Sequence, residues 1–482
     1  MNLIRAMSTA PGGVQLRDRL PASLILHDVI AETIAQFPVT FGDFSFPRDA
    51  GVFRREYVEL LPRFEAIRLS SPERTSIAAV LAGAMQERLV FEGRHGNQPL
   101  SLYLEPGTPL DVSKAEGSGR PGWMAGVEYR GSHWHDVAEL GQLLARRNVT
   151  NTAAADSLAW LAAEALEEGR LVLTGRRIAI FGANAEMAAT RLFLAAGADV
   201  LWLDQAPPPQ DLLAADDMTG TLTWPTENAD ILTQPREILA TLLKFAGDEA
   251  LDLCLYAYAP GQAREVRLTG AMNALVNALP ADRIASVTLL VSPTTPASLT
   301  SSDVLAMQDR QEGGPGWEQT LGNLGILGKP GCAQHEDSAT TRTVVSIQGL
   351  SYQAAQYLGK LMMAECWADR GQLNQDSPTP LRVSANTAAI TQTRSLDHPV
   401  FDAAFGGATA FQVETFTPAQ SQAINGMLAI HDWLNPATPV PGTVRVHGGI
   451  HTLPYPLEKA LRIAAAIGFT RSPGLLAGLV RR

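Results

Sequence analysis

From residue 171 onward, short apolar runs alternate with segments whose apolar positions recur every three to four residues. The runs 177–182, 199–204, 221–224, 251–256, 286–292, 381–384 and 443–447 predict strands; 184–196, 234–247, 266–279, 351–369 and 417–433 predict the helices between them. The runs lack an in–out alternation, as expected of strands buried on both faces. The pattern is therefore α/β: a doubly wound, Rossmann-like parallel sheet with right-handed crossovers. A helix over 151–168, with Thr152 as its N-cap, leads into this region. Residues 1–150 carry mixed signals. The runs 22–27 and 101–105 read as strands, the stretches near 54–68 and 76–92 have helical spacing, and a Gly/Pro loop spans 116–122. This reads as an additional N-terminal domain, 1–150, ahead of a main domain at 170–482. An insertion at about 297–343 interrupts the main domain, and its segment 312–331 is Gly-rich. Loops of that length are usually functional, so the insertion is expected to fold over the pocket as a lid. Gly328-Lys329 is not a phosphate-binding loop, because the first glycine is misplaced and Pro330 stands where Ser or Thr would hold magnesium.

Composition narrows the partners. Of 482 residues, 46% are hydrophobic and 18% charged, which excludes a mainly disordered or collagen-like chain. A net charge of −11 with no basic patch argues against nucleic acid. No stretch approaches the roughly 18 apolar residues of a membrane span, and the first residues, MNLIRAMSTAPGG, hold no apolar run of secretory length. Cys254, Cys332 and Cys366 are far apart and form no disulfide framework or metal pair, which favours a reduced, cytoplasmic setting. His133 and His135 lack a third ligand at recognisable spacing, so no metal site is assigned. His447 and His451 follow the last predicted strand, where one of them is expected to touch substrate; the alternative is a turn.

Chemistry begins at the first strand. Gly182 permits a tight turn, Gly182-Ala-Asn184, and the following helix would point its N-terminus at a pyrophosphate. Asp204 lies 22 residues on, at the end of the second strand, where an acid accepts the ribose hydroxyls of NAD and repels the extra phosphate of NADP. Glu186 and Ala188 replace the later glycines of the dinucleotide fingerprint.

Over about 280 residues the chain resembles the short-chain dehydrogenase/reductase family in the order of its local signatures. Ala196-Gly197-Ala198 resembles the entry to the second strand, and Ala229-Asp230 the segment whose Asp meets adenine. The run 251–259, ending in Ala259, stands where the family has its fourth strand and Asn-Asn-Ala-Gly. Arg267-Leu-Thr-Gly270 resembles the Asn-Leu-Thr-Gly helix opening. Ser292 ends the fifth strand, Ser351-Tyr352-Gln-Ala-Ala-Gln356 resembles the active-site helix, and Arg382-Val-Ser-Ala385 with Thr391 and Thr393 resembles the sixth strand and nicotinamide loop. Gly442 to Gly449 resembles the last strand and its Gly-Gly end.

The resemblance implies hydride transfer between a nicotinamide and a carbonyl or alcohol carbon, with Tyr352 as acid/base and Ser292 on the substrate oxygen. A free tyrosine, with a pKa near 10, needs help to act as a base at neutral pH. The family supplies a lysine four residues later; here that position is Gln356, and the family's asparagine is Arg267. Lys360, one of five lysines, lies eight residues after Tyr352 and can share its helix face; Tyr357 with Lys360 is a competing pair, and Arg267 is a further source of positive charge. The expectation is an oxidoreductase of this type. It would interconvert a ketone and a secondary alcohol on a bulky or acyl-type substrate, use NAD(H) in preference to NADP(H), and form a homo-oligomer. The alternative is a catalytically degenerate binding or scaffold subunit beside a partner reductase.

Overall fold

The computed structural model describes residues 12–475 apart from 95, 260, 262, 329, 374–379, 397–398, 436 and 438–439. The readings placed on Lys329 and on residues 1–11 fall outside these.

Three helices, α1 (Ala22–Gln36), α2 (Ala50–Ser70) and α3 (Arg74–Glu87), open the chain. The expected strand at 22–27 is the first turn and a half of α1. Its apolar run continues as Val29, Ile30 and Thr33, all buried, which is a helical period and not an alternating one. The expected strand at 101–105 is likewise part helix, Leu100–Tyr103. A strand, β1 (Val112–Glu116), follows, and α4 (Thr152–Glu164) is capped by Asn151, whose side chain accepts from Ala154 N, one residue before the expected cap Thr152.

The strands β2 (Arg177–Phe181), β3 (Asp199–Leu203), β4 (Thr221–Pro225), β5 (Leu251–Leu255), β6 (Ile284–Val291) and β7 (Arg382–Thr387) run parallel in a seven-stranded sheet ordered β7-β6-β5-β2-β3-β4-β1. This is the doubly wound order, and it reverses direction between β2 and β5. Alternate residues of each strand serve opposite layers. Ala179, Phe181, Leu201 and Leu253 enter the core beneath α1–α3, α6 (Pro235–Ala246) and α7 (Arg264–Ala278); Ile178, Ile180, Val200 and Trp202 enter the core beneath α4, α5 (Thr190–Ala195) and the long helix over Pro418–Leu434.

Residues 1–150 do not form a separate unit. β1 pairs antiparallel with β4 as the seventh strand, and α1–α3 share one core with the sheet. Arg68 of α2 is fully buried and forks between Glu65 and Glu365, while Arg74 also binds Glu365. Breaking such a buried charge cluster at one partner costs about 3–5 kcal/mol. The insertion at 297–343 is not a loop. It holds α8 (Ser301–Glu312), a short helix at Gly316–Asn323 and a three-stranded antiparallel sheet seated on α2, where Thr340 donates to the Pro62 carbonyl at 2.8 Å. The expected strand at 443–447 makes only isolated bridges, Thr443 to Ser298 and Val446 to Thr150.

Candidate functional site

At the carboxyl ends of β2, β5, β6 and β7, beside the reversal of strand order, lies a cavity of about 620 Å³. Its polar wall comes from α9, a continuous helix of three segments: Gly349–Gln353, a widened π-type turn at Ala354–Met362, and Met363–Leu373. Tyr352, Gln356 and Lys360, spaced by four, all face the cavity. Tyr352 lies close to Ser292, which follows β6 and whose hydroxyl bonds that of Thr294 at 2.8 Å. Burial pushes the Tyr352 phenol well above its usual range; Ser292 opposes the rise, and Tyr258 and Glu265 add to it. Lys360 is buried, and its ammonium donates to the Leu290 carbonyl at 2.8 Å; burial lowers its pKa to about 8.

Gln356 does not replace a lysine in function. Its Oε1 accepts the Ser292 backbone N–H at 3.0 Å and so fixes the end of β6. Tyr357, the competing tyrosine, faces the other way and donates to Glu65 at 2.5 Å, inside the buried charge cluster. Arg267 does not reach the cavity. It binds the Gln15 side chain at 2.8 Å, tying α7 to the short strand Val14–Leu16 that precedes α1, and does not line the cavity.

The apolar wall comes from α10 (Pro399–Ala408) and α12 (Leu457–Arg471), separated in sequence by α11 (Pro418–Leu434). Ala404, Phe405 and Ala408 line it from α10, and Leu457, Leu461 and Ala464 from α12. The two helices cross at glycines: a Cβ on Gly407 would stand 1.9 Å from the Ala464 carbonyl oxygen, and one on Gly468 1.8 Å from that of Ala403. These helices, and not the insertion at 297–343, supply its apolar wall; no described residue of 297–343 lines it. His447 and His451 do not line it either. They are buried on its far side, His451 paired with Asp303 at 3.2 Å and His447 Nδ1 accepting from Gly449 N.

The dinucleotide positions divide. Asn184, Thr391 and Thr393 line the same cavity as Tyr352. Asp204, Asp230, Ala259 and Gly182 do not. The Asp204 carboxylate accepts from Asn184 N at 3.0 Å and Ala206 N at 3.1 Å, and Asp230 accepts from Leu232 N at 2.9 Å. Gly182 has φ +75°, and a Cβ there would stand 2.4 Å from the Ala257 Cα; the glycine serves chain packing. The expected helix at 184–196 starts only at Thr190, because the turn folds on itself: Ala185 N binds the Gly182 carbonyl and Ala188 N binds that of Ala185. Glu186 reaches across the crevice to Arg394, which donates to it from its backbone N at 2.9 Å and its Nε at 3.0 Å. Of the positions a nicotinamide dinucleotide would need, those that share the cavity with Tyr352 are Asn184, Thr391 and Thr393. At the pyrophosphate end the structure offers occupied amides and a carboxylate, and the residues do not fit until the Glu186–Arg394 pair parts.

Three residues at the site carry no motif in the sequence. Tyr258 stands edge-on to Tyr352, ring centroids 6.3 Å apart, Glu265 sits in the first turn of α7, and Thr294 bonds both Ser292 and Gln348. The apolar wall did leave a signal, the i, i+4 spacing of Phe401 and Phe405 and of Leu457 and Leu461.

No family model matches the chain, and no curated protein matches it. Among solved structures, the short-chain dehydrogenase/reductase SDR:Glucose/ribitol dehydrogenase from Brucella melitensis is similar at 16% identity, over 58% of this chain and 97% of that one, with a TM-score of 0.32. The fold assignment rests on the strand order. Among the described residues, no helix is long and apolar enough to cross a membrane, and no group of three or more His, Cys, Asp or Glu is placed to hold a metal.

Proposed function

We propose that the chain is an oxidoreductase of the short-chain dehydrogenase/reductase kind that interconverts a ketone and a secondary alcohol on a bulky or acyl-type substrate. One observation carries this reading. Tyr352, Ser292 and Lys360 line one cavity at the carboxyl edge of the sheet, with Tyr352 close to Ser292 and an apolar wall from α10 and α12. Tyr352 would deliver its proton to the substrate oxygen in the direction of reduction; burial of the phenol works against that release, so positive charge brought by the bound cofactor would have to draw its pKa down for the step. Ser292, fixed by Gln356, would hold the same oxygen. Lys360 lines the same cavity as a buried amine able to take up and release a proton near pH 8. NAD(H), when bound, would supply or accept the hydride; Thr391, Thr393 and Asn184 are the residues placed to hold it.

The test is a titration of NADH and NADPH by calorimetry, followed by turnover of a long-chain ketone such as dodecan-2-one. Submillimolar NADH binding with ketone-dependent oxidation supports the reading. A second reading, a binding or scaffold subunit that keeps the fold without the hydride chemistry, draws on the Glu186–Arg394 pair across the phosphate crevice. Failure of both nucleotides to bind would select it.

A further inference from the structure

We propose that Glu265 reads a hydrogen-bond donor on the substrate, so that the ligand of this cavity is an apolar chain bearing a hydroxyl next to the carbonyl held by Tyr352 and Ser292. The proposal rests on the cavity being a substrate site. Glu265 lies in the first turn of α7, lines the cavity and is 8% exposed. Its Oε1 accepts the Gly261 backbone N–H at 2.9 Å. Its Oε2 is withdrawn from water and accepts no hydrogen bond. A buried carboxylate oxygen without a partner is costly to the fold and calls for an explanation, and a ligand donor is one that also specifies chemistry.

The surroundings leave that oxygen available to a ligand. Among the described residues lining the cavity, the cations are Lys360 and Arg394. Lys360 donates to the Leu290 carbonyl, and Arg394 is paired with Glu186. Tyr258 and Tyr352 line the cavity with Glu265, and the charge of Glu265 raises the pKa of both phenols, which places it within electrostatic reach of the reacting oxygen. The local field therefore disfavours a second carbonyl, carboxylate or phosphate at this point and favours a donor. Because the apolar body of the ligand has α10 and α12 to pack against, the donor belongs at the polar end of the ligand, the end that carries the reacting oxygen. Neither the tyrosine nor the serine supplies this discrimination, since a hydroxyl both donates and accepts.

The experiment is calorimetric binding of two matched probes, dodecan-2-one and 1-hydroxydodecan-2-one, to the full chain and to Glu265→Gln. The variant keeps an acceptor oxygen for Gly261 and turns the second oxygen into an amide donor. The wild-type protein is expected to bind the hydroxyketone about tenfold more tightly than the ketone. Glu265→Gln is expected to lose that preference while holding dodecan-2-one within about twofold of wild type. Equal binding of both probes to wild type, or a preference that survives in Glu265→Gln, overturns the assignment of Glu265 and leaves the cavity as a ligand site. Binding of neither probe overturns both readings together. The wild-type comparison stands alone should the variant fold poorly.

Discussion

Replacing Glu186 by glutamine should tighten NADH binding, and the size of the gain follows from the crevice. In the structure the Glu186 carboxylate bonds Arg394 at 3.0 Å, with the Arg394 side chain 85% exposed and that of Glu186 24% exposed. An ion pair so open to water is worth about 0–1 kcal/mol, so parting it is a small cost. Holding the carboxylate against a pyrophosphate costs more. Two like charges about 5 Å apart, in a half-exposed crevice with an effective dielectric of about 40, repel by about 1.7 kcal/mol. Together the two costs come to about 2 kcal/mol, or about thirtyfold in Kd. Glu186→Gln removes the repulsion and also frees Arg394 to meet the phosphates, so Arg394→Gln should weaken NADH binding where Glu186→Gln strengthens it. NADH fluorescence titration at fixed, low ionic strength reads both. If Glu186→Gln leaves NADH binding unchanged, or if both variants shift it in the same direction, the crevice after Phe181 is not a dinucleotide site and the hydride-transfer proposal fails with it.

The remaining predictions concern the helix that carries Tyr352 and the turn that follows β2. Tyr352→Phe should lower ketone turnover by about 10²–10⁴ while NADH binding holds, as loss of a general acid requires; unchanged turnover excludes Tyr352 as the proton donor. Lys360 has its folded pKa lowered from 10.5 to about 8 by burial, so the unfolded chain binds more protons between those values. Its contribution therefore makes stability rise as pH climbs from 8 toward 10.5. Lys360→Met should flatten that rise and add about 1–3 kcal/mol at pH 7, the buried-charge penalty less the lost bond to Leu290; urea melts of both proteins across that pH range would show it, and parallel pH curves would contradict it. Gly182→Ala should destabilise the unliganded chain by more than about 1 kcal/mol, since φ is +75° and the new Cβ meets Ala257; a melting temperature equal to wild type would return this glycine to a ligand role. Gln356→Lys places the family's residue at its usual position, yet it should lower turnover at least about tenfold, because lysine has no acceptor for the Ser292 N–H; a gain in turnover would restore the lysine reading.

The sheet was legible because its strands are buried on both faces, and such strands announce themselves as unbroken apolar runs bounded by turn residues; 177–181, 199–203 and 251–255 fall within a residue of their predicted limits. Misreadings arose where a local pattern served a tertiary purpose. Residues 22–27 hold a strand-like run, but the run is the start of an amphipathic helix that must also face the sheet helices. Residues 443–447 have strand composition and are buried, yet they lie beside the insertion and not on the sheet, so their backbone pairs only at Ser298 and Thr150. The same distinction governs the site. Ser292, Tyr352 and Lys360 come to one cavity because a strand end and one helix face fix where they point. Arg267, Asp204 and Ala259 were assigned by position in an element, and position does not say which way the neighbouring turn folds. Here the turn after Gly182 closes on itself and takes the Asp204 carboxylate for its own backbone. Glu265 shows the limit most plainly. Nothing in a sequence marks a carboxylate that burial will leave half unsatisfied, because that property belongs to the cavity assembled around it from α7, α9 and the end of β6. The residues that choose a substrate are thus the least visible before folding, and the cavity's selectivity, more than its fold, is what the Glu186 and Glu265 variants measure.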